Sequence, residues 1–313
     1  MAPIKIETLY ELGYFTMGKC SIYFISFIAI VCNQGFCIIY FIVFGQCAQS
    51  IAKDLIWPNS TNIATTYQFW VFVLAIGLLP IIFKKVLAEM KIISYALFGS
   101  VLLFVFFLTF QLANHGMEKE NPDTPPYHYW NITWGWNSIA AFSVFLCAYN
   151  FSFIEFPLYH ALGPDRCKTK MLWAIGLGMV ETTLIYMSCG ILGVYLFGSV
   201  ISDNVLENID GETSVVSFII RFSFLIVLAC HVPYVFFLGK EGACIVVDEL
   251  MTKSMSKSLQ KRMDPDEPEL DSEVIVYHNM NKIAYIVTTL LLYALCVIVA
   301  CLTTNLGALF NYI

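Results

Sequence analysis

The chain has 313 residues, of which 58% are hydrophobic and 13% charged, where a soluble domain carries about 25% charged residues. That excludes an ordinary soluble domain, and the net charge of −6 says nothing of partners, because the acids crowd into DPDEPELDSE at 264–273. Apolar runs long enough to cross a bilayer, about 17 to 25 residues, recur along the whole length and define a single transmembrane domain over 1–313, whose first partner is the lipid bilayer and which shows no pattern for nucleic acid.

In chain order, the opening MAPIKIETLYELGYFTMGK is polar, mixed in charge and free of Arg, so it reads as neither a cleavable signal peptide nor a mitochondrial presequence. Spans follow at about 20–49, 67–83, 91–113, 134–159, 171–198, 214–239 and 282–303. The predicted fold class is therefore an all-α polytopic membrane protein with about seven transmembrane helices. The first span is long for a flat crossing and is expected to tilt or protrude, and the second is short, ending at Pro80. The fourth ends in AYNFSFIEFPLY (148–159), where Asn150, Ser152 and Glu155 precede Pro157. A lone carboxylate at the centre of a bilayer helix costs roughly 2.5 kcal/mol or more. The cluster predicts a helix broken around a polar site; the alternative is a proline kink whose polar groups bond to neighbouring helices. His231, near Pro233 on the sixth span, reads either as a bonded core histidine or as a proton- or ion-linked group.

Between spans six and seven, residues 242–273 are expected to form an amphipathic helix and an acidic linker. In DELMTKSMSKSLQKRM, Met251, Met255, Leu259 and Met263 recur at helical spacing while Lys253, Lys257 and Lys261 fill the other side. The pattern predicts a helix on the membrane surface or facing a partner, with a solvated helix packed on the chain's own loops as the alternative. The run after it contains Pro265 and Pro268 and reads as irregular.

Of the 17 Lys and Arg, all but Lys53, Lys119 and the intramembrane Arg221 fall on one side of the seven-span chain. That side carries Lys5 and Lys19, the turns around Lys84 and Lys168, and the stretch from Lys240 to Lys282. Positive charge gathers on the cytosolic face, or the matrix face of a mitochondrion, which places the N-terminus and 242–273 there. Two glycosylation sequons, at Asn59 and Asn131, fall on the opposite side. The 11 cysteines form no Cys-x-x-Cys pair and sit mostly in apolar runs, where they read as small buried hydrophobes. No His stands at metal-ligand spacing from Cys or acids, so neither a metal, another cofactor nor catalysis is expected.

Several stretches carry a joint pattern. ETLYELGYFTMGK followed by NQGFCIIYFIVFGQ holds Tyr10, Leu12, Gly13, Gly18, Lys19, Gly35, Tyr40 and Gly45; FSFIEFPLYHAL, MSCGILGVYLFGSVISDNVLENI and RFSFLIVLACHVPYVFF follow in order. They resemble the third, sixth, seventh and eighth membrane helices of the amino acid/auxin permease family of amino acid transporters. The resemblance implies a partial leucine-transporter-like inverted-repeat fold. Its sixth helix would be unwound at midplane, so Asn150, Ser152 and Glu155 would line a substrate half-site and Pro157 would open the second half-helix.

Counterparts of that family's helices one, two, ten and eleven are not seen in this sequence, and the first of them normally completes the substrate site. The half-site is then expected to be vestigial. On this reading the chain is a transport-incompetent member repurposed as an accessory or structural subunit of a larger membrane complex, with other membrane subunits covering the positions of the missing helices. A respiratory assembly of the mitochondrial inner membrane is the expected host, the plasma membrane or an endomembrane the alternative. The alternative function is an active proton- or sodium-coupled transporter with amino acids as substrates.

Overall fold

A computed structural model describes residues 6, 8–56, 62–83, 91–116, 135, 138–139, 141–142, 149, 155–156, 159, 167–198, 201, 205, 208, 215–262 and 280–303. Its elements are α1 (Leu9–Met17), α2 (Cys20–Ile51, prolonged by a π-helical turn, Ala52–Ile56), α3 (Tyr67–Ile82, after a 3-10 turn, Ile63–Thr65) and α4 (Lys91–His115), then α5 (Lys168–Phe197), α6 (Val215–Met251), α7 (Ser254–Arg262) and α8 (Lys282–Leu302). By length and composition, α2, α5, α6 and α8 can each cross a membrane, and α3 and the Phe98–Asn114 part of α4 are shorter apolar helices. The protein is an all-helical polytopic membrane protein. Six of the predicted spans coincide with helices; the fourth, 134–159, both sequons and the acidic linker lie almost wholly outside the described residues.

Helices are what such a sequence must form, because lipid offers no partner to a free backbone N–H or carbonyl. Their ends carry local instructions. Thr8 Oγ1 accepts the Glu11 N–H at 3.1 Å to start α1, and Gly18, at φ 81, ends it. The centre of the bundle is the pair α2 and α6, covered by α3 and α8, with Phe41, Val71, Val232, Phe236 and Cys296 fully buried between them. Lipid tails are as apolar as these side chains, so close packing and interhelical hydrogen bonds hold the helices together rather than exclusion of water. Gly239 marks the closest approach, since any Cβ there would collide with the Gln34 amide of α2.

Helix direction follows from the contacts at the ends. Tyr67, opening α3, donates its hydroxyl to the Ala300 carbonyl near the end of α8, and Asp54, just past α2, meets Arg221 near the start of α6. At the other end Lys240 of α6 donates to the Ile82 carbonyl that closes α3 and to Tyr285 at the start of α8. So α2 and α8 run one way, α3 and α6 the other. This second end gathers α1, the start of α2, the end of α6 and α7 around Tyr10, Ile22, Cys244, Met255 and Leu259. It is the end on which the sequence concentrates Lys19, Lys240, Lys253, Lys257 and Lys282.

Two expectations about 242–273 change here. First, α6 continues well past the predicted limit at 239, to Met251, because its Lys240 is not a boundary charge left in solvent but a buried group bonded to its neighbours. Second, the four-residue stripe is not one helix. Lys253, at φ 55, turns the chain between α6 and α7. Met251 is left exposed at the end of α6, while Met255 and Leu259 of α7 are buried against the chain's own core. The face expected to meet membrane or partner is spent inside the protein. Asp248 and Glu249 fix the turn: Asp248 accepts the hydroxyls of Thr252 and Ser254, and Glu249 Oε2 accepts the Ser256 N–H at 3.1 Å, a favourable place for a carboxylate at a helix start.

Candidate functional site

Arg221, His231 and Lys240 divide the length of α6. Arg221 is buried and donates to Ser217 Oγ, to Ser50 Oγ of α2 at 2.5 Å and to Asp54 Oδ2 at 2.6 Å. Lys240 is buried at the other end, its Nζ 2.8 Å from the Ile82 carbonyl and 2.9 Å from Tyr285 Oη, with the Phe237 and Tyr285 rings at 5.1 and 5.2 Å. At 1.5 Å per residue the two cations stand about 28 Å apart along the helix, close to the roughly 30 Å of hydrocarbon in a bilayer. His231 falls midway between them.

His231 differs from the two cations at one ring nitrogen. Its Nδ1 is buried and finds no hydrogen-bond partner among the described residues. Its ring meets Tyr40 of α2 edge-on, centroids 5.4 Å apart, and Tyr234 at 5.9 Å. Pro233, two residues on, has no N–H to give, so this turn of α6 also lacks one helical hydrogen bond.

The site extends to α5. Tyr40 lies within electrostatic reach of Tyr186, whose ring is 6.0 Å from that of Tyr149. Tyr149 Oη is 2.7 Å from Thr183 Oγ1, and Thr183 gives its own hydrogen to the Met179 carbonyl at 2.7 Å, which makes Tyr149 the donor. Two groups of contacts are thus described, Tyr149 with Thr183 and Tyr186 on the α5 side and Tyr40 with His231 between α2 and α6. Tyr149 immediately precedes Asn150 in the chain. Asn150 and Ser152 themselves lie outside the described residues. Glu155 is described, half-buried in a helical turn with Phe156.

A second polar group lies on α2 toward α8. Gln34 Oε1 accepts from Cys296 Sγ at 2.9 Å, its Nε2 donates to the Phe236 carbonyl at 3.4 Å, and Cys37 bonds to Cys296. Gln34, Cys37 and Tyr40 follow one another at helical spacing, so α2 presents a polar stripe to the bundle interior. These are neutral dipoles and aromatic faces, bonded among themselves inside the bundle. Among the described residues no three His, Cys, Asp or Glu side chains converge as metal ligands, and the described cysteines are all free thiols.

The sequence reading singled out His231, Arg221 and the 150–155 cluster and did not single out Tyr149, Thr183, Tyr186 or Gln34. The available signal was spacing: Thr183 and Tyr186 share a face of α5, as Gln34 and Cys37 share one of α2. Also missed was Glu181, an exposed carboxylate in the middle of α5.

The arrangement is that of a polytopic membrane protein whose central helices carry buried polar groups. The pattern of one family, described as transmembrane amino acid transporter protein, matches residues 5–313. The chain belongs to this family, which is a family of transporters and not of enzymes. No curated protein and no solved structure matches the chain.

Proposed function

We propose that the chain is a proton-coupled amino acid carrier in which His231 is the proton-linked group and Asn150, Ser152 and Glu155 contribute to the substrate site. The observation that carries this reading is the buried Nδ1 of His231 at the middle of α6, which has no hydrogen-bond partner among the described residues. An imidazole titrates near neutral pH, and an intramembrane one held between tyrosines at midplane is placed where carriers keep substrate and coupling ion. Glu155 supplies the negative charge that a substrate ammonium needs. The test is uptake of a mixture of labelled amino acids into liposomes containing the purified chain, with imposed proton or sodium gradients. The expected result is accumulation driven by the proton gradient, reduced by roughly tenfold or more in His231→Ala, the size that loss of a general acid–base group or coupling site gives, and abolished by Glu155→Ala. Absence of accumulation under either gradient would overturn the proposal.

A second reading, a non-transporting subunit of a larger complex such as a respiratory assembly of the mitochondrial inner membrane, is favoured by the exposure of the most apolar stretch of α5. The same assay separates the two.

A further inference from the structure

α5 stands on the outside of the described bundle. None of its most apolar stretch is buried, and Leu172, Trp173, Leu177, Val180, Leu184 and Met187 are all exposed. Lipid alone would suit such a surface except at Glu181. Its carboxylate lies about 20 Å along the helix from Lys168 and about 24 Å from Phe197, at the depth of the bilayer centre. It is exposed, and among the described residues no hydrogen bond or ion pair reaches it. Ionisable groups at that depth pair with one another, face a cavity or face another helix.

The surroundings of Glu181 favour a helix. Ala174, Gly178, Glu181, Thr182 and Ile185 lie on one face of α5, a small-xxx-small pattern of the kind that lets helix backbones approach closely. The space above Gly178 is empty: a Cβ there would meet nothing within 4 Å. Further along, Cys189, Leu192 and Leu196 continue the same face and pack on Phe104, Phe107 and Ile220 of α4 and α6, so the open part prolongs a surface already used for helix packing. Charge selects the occupant. A second copy meeting this face across a twofold axis would set Glu181 against Glu181, whereas a helix with a cation at that level would complement it.

We propose that this face of α5 seats a transmembrane helix of another polypeptide that presents an arginine or lysine to Glu181. The inference does not depend on whether the chain carries amino acids. It is tested with the full chain in phosphatidylcholine vesicles, labelled with a donor fluorophore. Acceptor-labelled synthetic Leu/Ala helices of about 20 residues, long enough to span, carry a central Arg, Leu or Glu. The Arg peptide is expected to associate roughly fivefold or more tightly than the Leu peptide and to protect Glu181 from a lipid-soluble carbodiimide that labels it in the chain alone. Glu181→Leu should remove the preference, and Gly178→Ile should weaken binding of the Arg peptide while leaving Glu181 open to the carbodiimide. Equal association of the three peptides would overturn the proposal. Self-association of the chain that depends on Glu181 would overturn it in favour of a second copy. Failure of the carbodiimide to reach Glu181 in the chain alone would overturn it in favour of cover by the chain's own segments.

Discussion

The α2–α6 pair and α5 are built from nearly the same kinds of residue and end in opposite surroundings. Half of the most apolar stretch of α2 is buried inside the protein, and none of that of α5. In water such a difference would be written as amphipathicity, with apolar residues turned inward. In lipid both faces of a helix can be apolar, so hydropathy separates spans from loops and says little about which span is central. What marks the central pair is polar chemistry that has found a partner: Arg221 on Ser50 and Asp54, Lys240 on Ile82 and Tyr285, Gln34 on Cys296 and Phe236. What marks the outer helix is a polar residue, Glu181, that has none among the described residues.

The comparison breaks most easily at Arg221. This guanidinium is 1% exposed and its partner Asp54 is 22% exposed, with 2.6 Å between them. Removing one member of a buried pair leaves the other charge uncompensated, at about 3 to 5 kcal/mol. Partial exposure of Asp54 puts the expected loss for Arg221→Leu at the lower end, about 3 kcal/mol. The measurement is the thermal midpoint for loss of monodisperse protein in detergent. Arg221→Leu combined with Asp54→Asn should recover part of the loss, because the stranded carboxylate is then gone. An Arg221→Leu protein as stable as the parent would mean that the ion pair does not organise the α2–α6 contact.

Glycines give a matched pair of smaller effects. Gly239 of α6 faces the Gln34 amide so closely that a methyl group must displace it, with the Cys296 and Phe236 bonds that the amide makes. Overpacking of this kind costs typically 1 to 3 kcal/mol, and Gly239→Ala is expected to lose about 1 to 2 kcal/mol by the same thermal assay. Gly176 of α5 has nothing within 4 Å of the corresponding position, so Gly176→Ala should change stability by about 0.5 kcal/mol or less, as surface substitutions do. Equal effects at the two positions would remove the distinction between inner and outer helices.

How much of this was legible in the sequence follows from the same physics. Span positions were, because twenty-odd apolar residues have few other uses, and so was the shared end of the basic residues, because charge and topology are coupled. The family was legible from glycines and aromatics at fixed spacing, such as Gly35, Tyr40 and Gly45. Contacts between spans were not. Nothing in the sequence says that Tyr149 reaches Thr183, or that Tyr40 rather than another ring meets His231, since each pairing depends on how helices far apart in the chain are rotated against each other. The end of α6 was misplaced for a related reason: Lys240 looks like a boundary until its partners on α3 and α8 are seen. The stripe through Met251 and Met255 failed because a single residue, Lys253 at φ 55, breaks the helical register. The broken helix predicted around Asn150 and Ser152 lies outside the described residues and remains part of the proposed carrier site.

The smallest predicted effect is at the first turn of the outer helix. Cys167 is exposed, lies outside the membrane-spanning part of α5, and has the extended backbone of a residue that precedes a helix, with φ −143. The backbone N–H groups of Lys170 and Thr169 bond to its sulfur and hold the thiol below its ordinary pKa, the usual behaviour of a cysteine at a helix start. A lowered pKa means more thiolate at neutral pH, and a reaction rate that falls only when the pH drops through the lowered value. Labelling of the unaltered chain with a membrane-impermeant maleimide, read peptide by peptide by mass spectrometry, should therefore show Cys167 reaching half its maximal rate below the value of about 8.5 for a free cysteine. Cys244, fully buried at the same end of the bundle, should be labelled only on unfolding. In sealed vesicles Cys167 should react from the same side as reagents that modify Lys257, because the basic residues share that end. An ordinary thiol profile at Cys167 would mean that the first turn of α5 is not formed in the membrane. Labelling of Cys167 and Lys257 from opposite sides would separate α5 from the topology that the basic residues and the α2–α6 contacts give the rest of the chain.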